Sequence, residues 1–377
     1  MFGRIWRMIV KEFIQLRRDR YVRVRLIVPP LVQMLVFGYA ATFEVKHLPI
    51  AVLDLDHSGV SRELISRFTF TGRFRVAAVL NNERELRALI GGGAIPMALK
   101  IEPGFAELVR KGRAAHLQAI VDGTNSNTAL IAVGYINQIA AQFAQDYARG
   151  RVERLAPALA AQVPQIILEQ RPWYNPGMTS PWFFVPGLIG TITMMLVVNL
   201  TAFGIVRERE IGTLEQVLVT PIRPLELILG KTIPCFLIGL ADVALITSVG
   251  TLWFQVPFRG NPFVLLLGAV LFLLCTLSVG LLISTLCSTQ QQAFASGFFF
   301  LNPAFILSGF SFPISSMPRA MQLLTYLGPL RYFLVIVRGT FLKGVGLRVL
   351  WPQMAALGGL TAVLLTISVL RFRKSLD

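Results

Sequence analysis

The sequence predicts a mainly α-helical membrane protein, with six transmembrane helices and an extracytoplasmic α/β domain inserted after the first. Three observations carry that expectation. Hydrophobic residues make up 54% of the 377 residues and charged residues only 15%, with a mean hydropathy of +0.62, which is too apolar for an ordinary soluble domain. Uncharged runs cover residues 26–43, 172–206, 260–318 and 350–370, each near or above the roughly 18 to 20 residues that cross hydrocarbon. Between the first two runs, short apolar strands alternate with helical stretches, the pattern of a small α/β fold.

The chain opens on a cytoplasmic amphipathic helix, residues 1–22. Ile5, Ile9, Phe13 and Leu16 share one helical face while Arg4, Arg7, Lys11 and Arg18 take another, which lays a helix in the membrane interface. Bases ahead of an apolar stretch ending Gly38-Tyr39-Ala40-Ala41 resemble a secretory signal, but the leader is too long and too patterned for one. The first transmembrane helix covers 23–44, where Pro29 and Pro30 predict a kink. The α/β domain, 45–175, reads as strands at 50–55, 74–80, 97–101 and 117–121 and helices at 61–68, 83–90 and 105–111. A long helix from 127 to about 154 then returns towards the membrane. At about 125 residues the domain can bury its own core.

Residues 176–372 hold transmembrane helices two to six. The second ends in a charged segment, 207–222, and the third, about 225–254, carries one acid. Run 260–318 is long enough for two helices turning at Ser288-Thr289-Gln290-Gln291-Gln292. Residues 313–345 form an external re-entrant segment: 317–327 and 330–343 are proline-bounded, too short to cross, and carry Arg319, Arg331 and Arg338. A short cytoplasmic tail, 373–377, closes the chain. The net charge of +16 follows membrane orientation rather than nucleic acid: eight bases lie in the first 25 residues, and Arg371, Arg373 and Lys374 stand at the end. Both termini are therefore expected in the cytoplasm. Trp173, Trp182, Trp253 and Trp351 fall at span ends, and Cys235, Cys275 and Cys287 lie in or beside spans without metal-ligand spacing.

Several apparent motifs have plain explanations. Asp54-Leu55-Asp56 has the look of a divalent-metal pair, yet Asp56-His57-Ser58-Gly59 is equally a strand end turning into a loop, with no second acidic cluster beside it. Gly230-Lys231-Thr232 has the tail of a phosphate-binding loop, but Leu225 stands where its first glycine belongs, so Lys231 reads as the cytoplasmic edge of a span. His47, His57 and His116 all fall in the α/β domain and no catalytic grouping lies near the bilayer; neither enzymatic chemistry nor a metal or cofactor is expected in this chain. Asp242, an acid well inside a span, is either a translocation-path contact or a structural partner of a neighbouring helix. One such group is too few for an ordinary ion-coupled carrier.

The charged segment is Arg207-Glu208-Arg209-Glu210-Ile211-Gly212-Thr213-Leu214-Glu215, ending at Thr220-Pro221. Residues 213–219 suit a short helix with Leu214, Val217 and Leu218 on one side, able to seat in a groove of a soluble protein. In this setting the chain resembles the permease subunits of ABC-2 type ATP-binding cassette exporters. The resemblance runs through Lys11-Glu12, Arg17 to Asp19, Phe37-Gly38-Tyr39, Val121-Asp122-Gly123 and Asn125 to Thr128. It continues at 207–221, Leu307 to Phe310, Phe312-Pro313-Ile314, Ser316-Met317-Pro318, Pro329 to Phe333, Arg338-Gly339 and Phe341-Leu342. It is nearest to permeases with a large periplasmic domain, associated with drug efflux across the bacterial inner membrane.

That resemblance implies a permease dimer, identical or paralogous, on two cytosolic ATPase subunits that hold ATP and Mg. The leading helix, Ile5 to Arg18, and the segment Arg207 to Pro221 would contact the ATPase, with Arg207, Glu208, Arg209, Glu210, Gly212, Thr213, Glu215 and Pro221 as coupling residues. A periplasmic adaptor and an outer-membrane channel are further expected partners. A proton-coupled carrier using Asp242, or a non-transporting receptor or scaffold with a ligand-binding external domain, are the alternative readings.

Overall fold

The computed structural model describes residues 2–40, 47–122, 126–155, 173–176, 179–212 and 224–374. It divides into two compact units, Met1–Ala41 with Arg171–Asp377, and Thr42–Gln170. The chain begins in the first with α1 (Phe2–Arg18) and α2 (Arg20–Ala40). Ile5 and Ile9 of α1 are buried, whereas Trp6, Phe13 and Ile14 are exposed, so its apolar surface is divided between protein contact and open surface. Arg20, Arg23 and Arg25 leave α2 an apolar stretch of only Leu26–Tyr39.

The second unit is the inserted α/β fold. Its elements are β1 (Leu48–Asp54), α3 (Gly59–Phe70), β2 (Phe74–Leu80), α4 (Glu83–Gly91), β3 (Met97–Ile101), α5 (Phe105–Lys111), β4 (Leu117–Val121) and α6 (Ser126–Leu155). The sheet order is β2-β1-β3-β4, with β1 parallel to both neighbours and β4 antiparallel to β3. Central β1 is apolar on both faces because both are covered. Ile50 and Val52 pack with Leu64 and Phe68 of α3 and Ile136 and Phe143 of α6. Ala51 and Leu53 face Leu86 of α4 on the other side.

The aspartates at the end of β1 serve local structure. Asp54, buried, accepts the N–H groups of Asp56 and His57 at 3.1 Å and the Ser61 hydroxyl at 2.7 Å. Ser61 and Ser58 form the capping box that starts α3. Asp56 accepts the Ala106 N–H at 3.1 Å in the first turn of α5. Asp56 thus meets an orphan donor at a helix start, and Asp54 ties the loop ahead of α3 to its first turn.

The first unit resumes with α7 (Ser180–Ile211), α8 (Pro224–Leu252), α9 (Pro262–Leu286), α10 (Gln290–Leu307), α11 (Arg319–Leu324), α12 (Pro329–Arg338) and α13 (Leu347–Lys374). Among the described residues, four helices are long and apolar enough to cross a membrane: α7, α8, α9 and α13. Six helices stand where six spans were expected, but α2 is short in apolar length, and α10 opens on three glutamines and carries Asn302 and Pro303. The stretch expected to be re-entrant is the fifth candidate: Arg319–Leu327 and Pro329–Lys343 meet at an 84° bend, with Gly328 in an extended conformation ahead of Pro329.

The bundle centres on α7 and α9, the most buried of the four. Gly190 admits Leu330 and Phe333 of α12, a Cβ there coming within 2.8 Å of Leu330; such close approach is the main source of helix cohesion in lipid. Phe272 of α9 stacks on Phe333 at 4.1 Å. Ser368 of α13 donates to the Ser278 carbonyl at 2.8 Å.

Burial pushes the Asp56 carboxyl up, but the Ser58 side chain and the backbone amides of Ala106, Gly104 and Phe105 outweigh it and hold the group below its ordinary value. A depressed folded-state pKa stabilises above the unfolded carboxylate value, near pH 4, and that stability is lost as pH falls through the folded value. Pulse proteolysis of the inserted unit in the whole protein should therefore accelerate below about pH 4, and Asp56→Asn should flatten that limb. Asp54→Ala should remove about 1 to 3 kcal/mol from the unit, read by the same proteolysis at neutral pH.

Candidate functional site

The last turn of α7 carries the start of the charged segment singled out in the sequence, and it meets four other helices of its unit. Consecutive helical residues point about 100° apart, so Glu208, Arg209 and Glu210 cannot share a neighbour. Glu208 reaches α8, where Lys231 Nζ lies 2.8 Å from its Oε1. Lys231 also stands 3.3 Å from Glu12 Oε1 of α1 and donates to the Gly204 carbonyl at 3.1 Å. Three acceptors match the three donors of an ammonium. With Lys231 only 7% exposed, the arrangement is a buried, fully partnered charge, and removing a partner from such a group costs about 3 to 5 kcal/mol. Lys11 lies 4.0 Å from Glu208, and Arg4 lies 3.8 Å from the buried Glu226.

Arg209 turns instead to the C-terminal end of α9, donating to the carbonyls of Cys287 at 3.0 Å and Ser284 at 3.4 Å. A cation suits the negative end of a helix. Glu210 turns to the start of α10, accepting from the Gln290 side chain at 2.8 Å and its N–H at 3.2 Å, where an anion suits the positive end. Gly212 ends α7 in the left-handed region, φ 79°, as helix-terminating glycines do. Arg207 is exposed. Thr213, Glu215 and Pro221 lie outside the described residues, as does the short helix expected at 213–219.

The structure therefore brings Glu208, Arg209 and Glu210 into one junction with Glu12, Lys231 and Gln290. The sequence did not mark Glu12 or Lys231 as members. The signals were a lone acid between the bases of α1 and a lone lysine in the apolar α8.

Asp242 belongs elsewhere. It is 4% exposed, and its Oδ2 accepts the hydroxyl of the fully buried Thr193 at 2.7 Å, linking α8 to α7. A cavity of about 960 Å³ between α1, α2, α7 and α8 has Glu208 and Lys231 in its wall, and Asp242 is not among the residues that line it. Among the described residues no group of His, Cys, Asp or Glu could hold a metal ion.

Comparison with known proteins agrees with this architecture. Residues 26–370 match the model of the ABC-2 family transporter proteins. The chain is 35% identical over 374 residues to the "Probable multidrug ABC transporter permease YbhR" of Escherichia coli strain K12, covering 99% of both. It is 33% identical to that organism's "Probable multidrug ABC transporter permease YbhS", over 90% of this chain and 89% of that protein. With its "Inner membrane transport permease YhhJ" it shares 31% identity over 87% of this chain and 86% of that protein. The chain belongs to the ABC-2 family of transporters as a multi-pass membrane permease, and its described residues form membrane helices and an α/β unit rather than an ATPase domain.

Proposed function

We propose that this permease works as an exporter in the bacterial inner membrane, moving hydrophobic or amphipathic compounds, drugs among them, outward on ATP hydrolysis by a separate cytosolic subunit. The observation that carries the reading is the Lys231 junction, which ties the surface helix α1 to the end of α7 and the start of α8. A push on α1 or on the segment after Gly212 reaches two membrane helices through one buried ammonium. Arg207, Glu208, Arg209, Glu210, Gly212, Thr213, Glu215 and Pro221 make up the coupling segment, with Glu12 and Lys231 as its anchor on α1 and α8.

The names of the relatives support the cargo and the membrane: two are called multidrug permeases and one an inner membrane permease. Basic residues of α1 and Arg371 near the end of α13 support a cytoplasmic side for both termini under the positive-inside rule. The α/β unit then lies in the periplasm, where the exposed Phe70 and Val79 suit an adaptor leading to an outer-membrane channel. A second permease, identical or paralogous, completes the assembly.

The proton-coupled alternative needs Asp242 to meet water or substrate during transport. Its contact with Thr193 between two helices favours the structural role instead. Asp242→Asn keeps an acceptor for that hydroxyl and should leave ATP-driven transport within about twofold; collapse of transport in this variant, with normal insertion, would favour the carrier.

Lys231→Ala should abolish substrate-stimulated ATP hydrolysis by the co-purified ATPase subunit while leaving membrane insertion intact. The charge exchange Glu208→Lys with Lys231→Glu should regain part of it. Full coupled transport by Lys231→Ala removes the role assigned to the junction.

A further inference from the structure

The cavity between α1, α2, α7 and α8 is graded in polarity along its length. Its wall on α7 runs from Ile192 to Ile211, 19 steps of about 1.5 Å, or about 28 Å, close to the full thickness of a hydrocarbon core. At one end stand the charged groups of the junction. Towards the other the wall of α7 and α8 is apolar, with Ile192 and Leu196 of α7 and Ile238 of α8, while Leu26 and Pro29 of α2 line the stretch between the two ends. Asn199 is a polar group along the way, and Gln33 of α2 stands at the deep end against the Met195 sulfur, 3.8 Å away. A space that is long, narrow in chemistry at one end and oily at the other fits a molecule with a head and a chain.

The sign of the head follows from the charges that remain after the junction is satisfied. Four bases line the cavity, Lys11, Arg18, Arg207 and Lys231, against three acids, Glu12, Asp19 and Glu208. Lys231 lies against both Glu12 and Glu208, and Lys11 lies 4.0 Å from Glu208. Arg18 and Arg207 are exposed, and against them stands one acid, Asp19. Guanidinium groups are the side chains best shaped for phosphate and carboxylate.

We infer that this cavity is a binding site for an anionic amphiphile, its head held by Arg18 and Arg207 and its chain laid along the apolar wall of α2, α7 and α8. The inference rests on the exporter reading only for why such a molecule would matter, since binding itself needs no ATP. Occupied, the site places a ligand against Glu208 and Lys231, so cargo and coupling junction share one wall.

The test uses the full chain in nanodiscs of phosphatidylcholine, probed with a photoactivatable dodecyl phosphate carrying a diazirine on its chain. Labelling should map to residues 26–33 of α2 and 192–200 of α7, and unlabelled dodecyl phosphate should displace it whereas inorganic phosphate should not. Arg18→Ala with Arg207→Ala should reduce labelling at least tenfold, and Arg18→Lys with Arg207→Lys should keep most of it, which separates charge from misfolding. Leu196→Trp should block labelling by filling the apolar end. Displacement by phosphatidylglycerol in the nanodisc identifies the ligand as a bilayer lipid; failure of that lipid to displace identifies a single-chain amphiphile. The inference is overturned if a dodecyl trimethylammonium probe labels the same residues equally, if the double alanine variant labels normally, or if Asn199→Cys cross-links two copies of the chain through the cavity. None of these outcomes depends on ATPase coupling, so they leave the Lys231→Ala test of the exporter reading separate.

Discussion

An ammonium group inside an apolar helix is costly unless every one of its donors is met, and the arrangement around Lys231 follows from that requirement. Glu208 supplies one acceptor from the end of α7, Glu12 a second from α1, and the Gly204 carbonyl a third. Three helices, α1, α7 and α8, are joined by one side chain. The close seat of α1 on α8 follows: a Cβ on Gly230 would lie 2.9 Å from the Cβ of Met8, so the residue beside the buried lysine has no room for a side chain.

Legibility in the sequence varied with the kind of signal. Segments governed by local periodicity were readable: the strands at 74–80, 97–101 and 117–121 agree with the structure, as does the helix 105–111. Hydropathy marked α7, α8, α9 and α13 for the same reason, since each meets the length requirement within a single segment. The apolar content of α2 and α10 falls short of that requirement, and both pack against α7. The charged patch stood out as composition, but its geometry did not. Nothing in a linear string tells that Glu208, Arg209 and Glu210 diverge to α8, α9 and α10, because the answer lies in helices that begin up to 80 residues away.

Carboxylates illustrate the same limit from the other side. Asp54 and Asp56 have the spacing of a metal pair and are occupied by backbone donors and serine hydroxyls. Asp242, deep in α8, has one of its oxygens held by a threonine of α7. Glu12 looked ordinary on a basic helix and is one of the two acids that neutralise Lys231. What decides each case is the partner, and partners are tertiary facts.

One further consequence comes from the length of α7. Its 32 residues make a rod of about 48 Å, well beyond the roughly 30 Å of a hydrocarbon core. Its charged end sits in the junction, while near its opposite end Phe183 lies 4.1 Å beneath the guanidinium of Arg338 and Gly187 meets the ring of Phe310. A rod of that length tilted by about 5° moves its far tip by about 4 Å, more than a ring contact tolerates. A small rotation at one mouth of the bundle is thereby carried along one helix to the packing at the other, where Pro186, between Phe183 and Gly187, removes one backbone hydrogen bond.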